Sequence, residues 1–308
     1  MKTLKIFTSI VIVLLFIQCQ CSKESSLTVA TFNIRYKNQS DSINGNGWFQ
    51  RAPVICDMIH YNDFDVFGAQ EVLHTQLNDM LDRLPEYSFV GVGRDDGKTA
   101  GEYAPIFYKR SKLTLINSGH FWLSEVTDKP NRGWDAALPR ICTWAQFIIT
   151  DSNQDFWCFN LHMDHIGVEA RKESAKLVLK KIEEMCGKES VILTGDFNVD
   201  QSSANYAILA NSSILNDAYE ISKTRLALNG TFNNFNPNLK TDSRIDHIFV
   251  SSDISVNQYG ILTDTYRSEI PGYKMVTTPN SPQEIKMKEY IACTPSDHFP
   301  VRAVITIK

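Results

Sequence analysis

The apolar residues of this chain follow two rhythms. Leu27 to Ile34, Asp65 to Gln70, Phe89 to Val92, Pro105 to Tyr108, Leu113 to Asn117, Cys142 to Ile149 and Phe156 to Leu161 are strand-length runs bounded by turn residues. Ser190 to Leu193, Ile245 to Val250, Ser255 to Ile261 and Val301 to Ile307 continue the series. Helical periods lie between them. Val54, Ile55, Met58 and Ile59 follow Pro53, which suits the first turn of a helix. Leu73, Leu77, Met80, Leu81 and Leu84 make a second stripe. Ile166, Ala170, Leu177, Val178, Ile182 and Met185 make a third, opposite a Lys/Glu-rich face that reads as solvated. Asn38 to Trp48 reads as a polar, Asn/Gly-rich loop. Strands and helices alternate in both halves without the pattern of a purely parallel sheet. The expected fold is α/β (α+β), two packed mixed β-sheets with helices on their outer faces.

Composition narrows this picture. With 308 residues, 43% hydrophobic and 21% charged, the chain can form one large domain or two small ones. No repeat, low-complexity tract or linker interrupts it, so one domain over residues 27–308 is expected. The start is different in kind. Lys2 and Lys5 precede an apolar run from Ile6 to Ile17, and Gln18-Cys19-Gln20-Cys21 follows. That run is short for a bilayer span and reads as a signal peptide over residues 1–21, of lipoprotein type, with Cys19 or Cys21 lipidated. The expectation is an exported, monomeric protein of the cell envelope, held to the membrane by its N-terminal lipid alone. Five further cysteines (Cys56, Cys142, Cys158, Cys186, Cys293) are odd in number and widely spaced, which fits neither a disulfide framework nor a zinc site. Cys142 and Cys158 read as small core residues. The chain carries 31 Lys and Arg against 35 Asp and Glu, and it is more acidic still without Lys2 and Lys5. No basic stripe stands out, which weighs against a grip on duplex DNA.

Polar clusters close or follow the apolar runs. Thr31-Phe32-Asn33, Gln70-Glu71, Asn160-Leu161-His162, Gly195-Asp196-Phe197-Asn198, Arg244-Ile245-Asp246-His247 and Ser296-Asp297-His298 stand where one sheet edge could collect them. Each has a plainer reading. Glu71 could be an acid at a helix N-terminus; Asp196 and Asn198 could form an Asx turn; Asp246 could pair with Arg244. Arg140 suits either a phosphate clamp or a surface ion pair. His162 and His165 lack a third nitrogen or sulfur ligand at fixed spacing, so zinc is disfavoured, and Asp164 reads as a helix cap.

Taken in order, these motifs resemble those of the endonuclease/exonuclease/phosphatase superfamily, the metal-dependent group that includes pancreatic-type deoxyribonuclease, abasic-site endonucleases, sphingomyelinases, inositol polyphosphate 5-phosphatases and deadenylases. The resemblance runs from about Leu27 to Lys308. Gly91-Val92-Gly93-Arg94-Asp95-Asp96-Gly97, Gly101-Glu102-Tyr103, Phe121-Trp122-Leu123-Ser124-Glu125 and Gly133-Trp134-Asp135 are similar to a bacterial subgroup nearer the deadenylase-like branch than the abasic endonucleases.

The resemblance implies a four-layer sandwich and a division of labour. Glu71 would hold Mg²⁺ or Mn²⁺, with Asn33 and Asp297 contributing directly or through water. His298 would be the general base, oriented by Asp246, while Asn198 and His162 would hydrogen-bond the phosphoryl oxygens. Asp196 would position the nucleophile or assist the leaving group, and Arg140 would contact substrate. Three functions follow as expectations: a phosphatase or phosphodiesterase acting on a small phosphoester, a nuclease acting on external nucleic acid, and a non-catalytic binding protein on the same fold. The loops 38–48, 95–102, 126–140 and 263–294 are expected to shape the pocket.

Overall fold

The computed structural model describes residues 25–269, 272, 275–276 and 280–307. The expected signal peptide lies outside the described residues. Along the first half run β1 (Ser25–Asn33), α1 (Gln39–Ile43), α2 (Trp48–Tyr61), β2 (Val66–Gln70), α3 (His74–Arg83), β3 (Tyr87–Val90), β4 (Ile106–Lys109), β5 (Leu113–Trp122), β6 (Ile141–Ile149) and β7 (Asp155–His162). The second half adds α4 (Val168–Cys186), β8 (Val191–Asp196), α5 (Ala204–Ala210), β9 (Leu215–Asp217), α6 (Ala218–Ile221), β10 (Thr224–Leu226), β11 (Asp246–Ser251), β12 (Ile254–Ile261), β13 (Tyr266–Glu269), β14 (Met275–Val276), β15 (Met287–Lys288), β16 (Tyr290–Cys293) and β17 (Val301–Ile307).

Two large mixed sheets form. One has the order β10-β12-β17-β1-β2-β4-β3, the other β5-β6-β7-β8-β11-β9. Side-chain parity then assigns every layer, because alternate residues of a strand face opposite sides. In β1, Leu27 and Val29 face the second sheet, while Ala30 and Phe32 face α2 and α3. In β7, Phe156 and Cys158 face the first sheet, while Trp157, Phe159 and Leu161 face α4. Three large apolar clusters therefore fill the three interfaces of a helix–sheet–sheet–helix sandwich, as expected. Cys142 and Cys158 are fully buried, and among the described residues all five cysteines are free.

Some boundaries differ from the sequence reading. The segment 38–48 is not all loop, since Asn38 caps α1 by accepting from the Asp41 amide. Helix α2 begins at Trp48, so Pro53 lies at its sixth residue and not in its first turn. Trp48 and Ala52 extend the buried stripe backwards, and the Trp48 indole donates to Asp79 of α3 at 2.8 Å. Helix α4 begins after Gly167, leaving Ile166 exposed before it. Asp164 accepts from the Ile166 and Gly167 amides, but the first-turn amides of Glu169 and Ala170 go to Asp135, from a distant loop. The segment 263–294 holds two small ladders, β13 with β16 and β14 with β15.

Candidate active site

Strand register brings the motifs to one edge. Strand β8 runs parallel to β7 and antiparallel to β11, placing His162, Asp196 and Asp246 side by side. In the facing sheet β1 and β2 run parallel and end together at Asn33 and Gln70. Strand β17 runs antiparallel to β1, so the segment before Val301 enters at that same edge. Asn33, His162, Asp196 and Asp246 all have the parity that faces the opposite sheet, and there the sheets part around a cleft of about 490 Å³. A larger recess of about 610 Å³ between Trp48 and Arg83 gathers no comparable group of chemistry-bearing residues.

Beneath the cleft a buried polar layer joins the sheets. The Gln70 amide donates to Thr31 Oγ1 at 3.0 Å and to Asn160 Oδ1 at 2.7 Å. Asn160 Nδ2 donates to the Ala69 and Pro105 carbonyls, and Thr194 Oγ1 donates to Asn160 Oδ1. Gly68 makes room for this, since a Cβ there would lie 2.1 Å from Asn160 Oδ1. The Asn160 side chain is fully hydrogen-bonded, so its burial is compensated, while Gln70 Oε1 has no partner among the described residues.

At the floor, His298 Nδ1 lies 2.9 Å from Asp246 Oδ2, and its Nε2 lies 3.8 Å from Asp196 Oδ2. All three residues are at least nine-tenths buried. Burial alone would lower the His298 pKa, but the Asp246 and Asp196 carboxylates together raise it well above the ordinary value. Burial, with Asp246 adding to it, pushes Asp196 up to about 7. Asp246 is thus partnered by an imidazole, not by Arg244, which pairs with Asp217 at 2.9 Å. His247 points the other way, packed against Phe197, Tyr206 and Phe249.

Asn33 is central to the carboxylates. Its Nδ2 donates to Asp196 Oδ2 at 3.0 Å and Glu71 Oε1 at 3.1 Å, while its Oδ1 accepts from the Arg35 amide. Asn33 therefore meets both acids through its amide nitrogen, with its oxygen turned to the backbone. Glu71 is not at a helix N-terminus. It sits at φ 59° just after β2, a left-handed conformation that is costly for a non-glycine residue and swings the carboxylate towards the cleft. Asn198 is also left-handed, at φ 51°; its amide donates to Asp196 Oδ1 and its Nδ2 donates to the Met163 carbonyl. Asp297 Oδ2 lies 3.5 Å from the Arg35 guanidinium, which also stands 4.0 Å from Glu71. His162 Nε2 lies 3.6 Å from Asp196, and burial with the nearby Arg140 and Arg94 charges depresses its pKa well below the ordinary value. Arg140 is not a surface residue. Buried, it pairs with Asp164 at 3.3 Å and meets His165 Nδ1 at 2.9 Å, yet still lines the cleft.

Several lining residues went unread in the sequence. Arg35 stands two positions after Asn33 and had a signal by position alone. Arg94 and Glu102 lay in stretches noted only for their resemblance. Phe232 packs edge-to-face on His298 with centroids 5.1 Å apart, and nothing local predicts that. Arg51 is fully buried, donating to the carbonyls of Ile34, Arg35, Asn46 and Pro295. It thereby ties the end of β1 to the turn carrying Asp297.

The donor chemistry fits a hard cation. The cleft lining holds five carboxylates (Asp41, Glu71, Glu102, Asp196, Asp297) against three guanidiniums (Arg35, Arg94, Arg140). A cation held there would offset the charge with which these acids oppose a phosphate dianion. Glu71 and Asp297 offer hard oxygen ligands of the kind Mg²⁺ takes. Asp196, Asp246 and His298 form a second group whose donor atoms lie within 4.8 Å of one another.

A four-layer sandwich with an imidazole–carboxylate pair and gathered acids at its splayed edge defines a phosphoester hydrolase. The chain belongs to the endonuclease/exonuclease/phosphatase family, whose sequence model it matches over residues 30–298. It is similar to a family protein from Bacteroides thetaiotaomicron, at 51% identity and TM-score 0.86 over 93% of this chain and 99% of that one. It is equally similar to a mannosyl-6-phosphatase from the same organism, 51% identical with TM-score 0.84 over 91% and 99% of the two chains. A family protein from Bacteroides vulgatus shares 37% identity, with TM-score 0.79 over 92% and 100%.

Proposed function

We propose that this protein is an exported, divalent-metal-dependent phosphomonoesterase acting on a sugar phosphate of the mannosyl 6-phosphate kind. The observation that carries the reading is the His298–Asp246 pair facing Asp196, beside the Glu71 and Asp297 carboxylates in one short cleft. The 51% identity to a mannosyl-6-phosphatase, over nearly all of both chains, supports the substrate class. Lipid attachment through Cys19 or Cys21 at the cell envelope, and a monomeric state, belong to the same reading.

Glu71 and Asp297 would hold Mg²⁺ or Mn²⁺, with Asn33 orienting Glu71. The ion would supply positive charge to the phosphoryl oxygens. A water near His298 Nε2 and Asp196 attacks phosphorus. Its oxygen forms the new bond as the bond to the sugar oxygen breaks, and its proton passes to Nε2. Asp246 holds Nδ1 and stabilises the imidazolium that results. His162, kept neutral by its neighbours, and the free amide hydrogen of Asn198 donate to the phosphoryl oxygens as their charge grows. The leaving alkoxide takes its proton from solvent.

Phosphate release from mannose 6-phosphate, a chromogenic diester and single-stranded DNA, each with Mg²⁺ or Mn²⁺, tests the proposal. The monoester is expected to turn over fastest, and His298→Ala to cost on the order of 10³-fold. Cleavage of DNA without release of inorganic phosphate from the sugar ester would overturn it in favour of a nuclease.

A further inference from the structure

One wall of the cleft has polar groups that the phosphoryl chemistry does not use. Arg94 and Glu102 form a two-toothed ion pair, Nη1 to Oε2 and Nη2 to Oε1, both at 2.8 Å. Their backbone is held rigidly. Arg94 N donates to the Glu102 carbonyl, the Trp122 indole donates to the Arg94 carbonyl, and Tyr103 exchanges backbone hydrogen bonds with Val72, next to Glu71. Glu102 Oε2 lies 3.9 Å from His162 Nδ1, so this wall adjoins the phosphoryl site.

Two buried guanidinium nitrogens on this side have no hydrogen-bond partner among the described residues: Arg94 Nε and Arg140 Nη1. Their residues are 6% and 3% exposed. Orphaned donors at that depth are costly unless a ligand completes them. Each guanidinium already has a carboxylate of its own, Glu102 or Asp164. A second anionic group would meet those acids, whereas a hydroxyl can accept from a guanidinium and donate to a carboxylate at once. The same cleft presents the Phe232 ring, 41% exposed, as an apolar surface for a sugar's C–H face.

We propose that Arg94 and Glu102 form a subsite that reads two adjacent hydroxyls of the sugar, with Arg140 supplying a further donor. The proposal rests on the sugar-phosphate reading above and names the residues that select the sugar. It is tested by the ratio of kcat/KM for mannose 6-phosphate to that for phenyl phosphate, a monoester with no hydroxyls to read, in the same metal buffer. Glu102→Gln is expected to lower that ratio by about 30-fold, the loss of a charge-assisted hydrogen bond or two. Arg94→Lys, which keeps the charge but loses the fork, should lower it as well. If both substrates fall together in Glu102→Gln while Arg94→Lys leaves the ratio unchanged, the pair serves the fold or the phosphoryl step and the proposal fails. An unchanged ratio in both variants overturns it too. Failure of the wild type to release phosphate from mannose 6-phosphate or any other sugar phosphate would defeat the sugar-phosphate reading itself, before any variant is made. A glucose bisphosphate turned over far better than the monophosphate would place an anion, and not hydroxyls, at this wall.

Discussion

His298 stands between two carboxylates with different relations to it. Asp246 is hydrogen-bonded at Nδ1, while Asp196 faces Nε2 across 3.8 Å. Both raise the imidazole pKa, so the base is protonated over a wider pH range than a free histidine. A base works only when neutral, and the acid limb of kcat/KM therefore falls at the higher pH these acids impose. Asp246→Asn removes one negative charge. It lowers the pKa of His298, which loses an anionic partner, and of Asp196, which loses a repulsive neighbour. The acid limb is expected to move to lower pH while the plateau rate drops, read from a pH–rate profile; a limb that stays fixed would remove Asp246 from the base. Arg51 acts differently, as a positioning residue. Arg51→Met strands buried carbonyls that the guanidinium now serves, with an expected loss on the order of 3 kcal/mol in denaturant unfolding.

At the scale of elements, the edge exists because strand directions agree. Strands β1 and β2 finish where β17 begins, and β7 and β8 finish where β11 begins. Gly68 in β2 sets the spacing of the sheets beneath the site. Gly68→Ala would push a methyl into Asn160 and Thr194, break the Gln70 bridge and displace Glu71. The expected cost is about 1–3 kcal/mol of overpacking, seen in chemical denaturation, together with a fall in kcat. Full activity in Gly68→Ala would show that the buried layer does not hold Glu71 in place.

For the whole molecule, the excess of acid over base extends into the cleft. A divalent ion should therefore bind the folded protein measurably without substrate. At a concentration one hundred times its Kd it would add about 2.7 kcal/mol to stability, raising Tm by several degrees. EDTA should reverse the shift and abolish turnover together; an unmoved Tm across millimolar Mg²⁺ and Mn²⁺ would count against the carboxylate site. Hydrolysis of a small monoester should also change little between low and moderate salt. A slope as steep as counterion release produces would instead mark a polyanionic substrate.

The order of apolar runs and the polar residues that close them were legible in the chain, because burial demands alternation in strands and a stripe in helices. That logic placed β17 at Val301–Ile307 and found every member of the His298, Asp246 and Asp196 group. It misplaced the start of α2, since a proline signal competed with the longer stripe through Trp48. It also credited the helix cap to Asp164, when the first-turn amides are served by Asp135, more than thirty residues away. What the sequence by itself determined was the local rule of each element and the chemical types on offer. Only the tertiary structure decided which groups meet. Glu102 beside His162, Arg35 beside Asp297 and Phe232 against His298 depend on register and sheet separation, which are properties of packed layers and have no period along a chain.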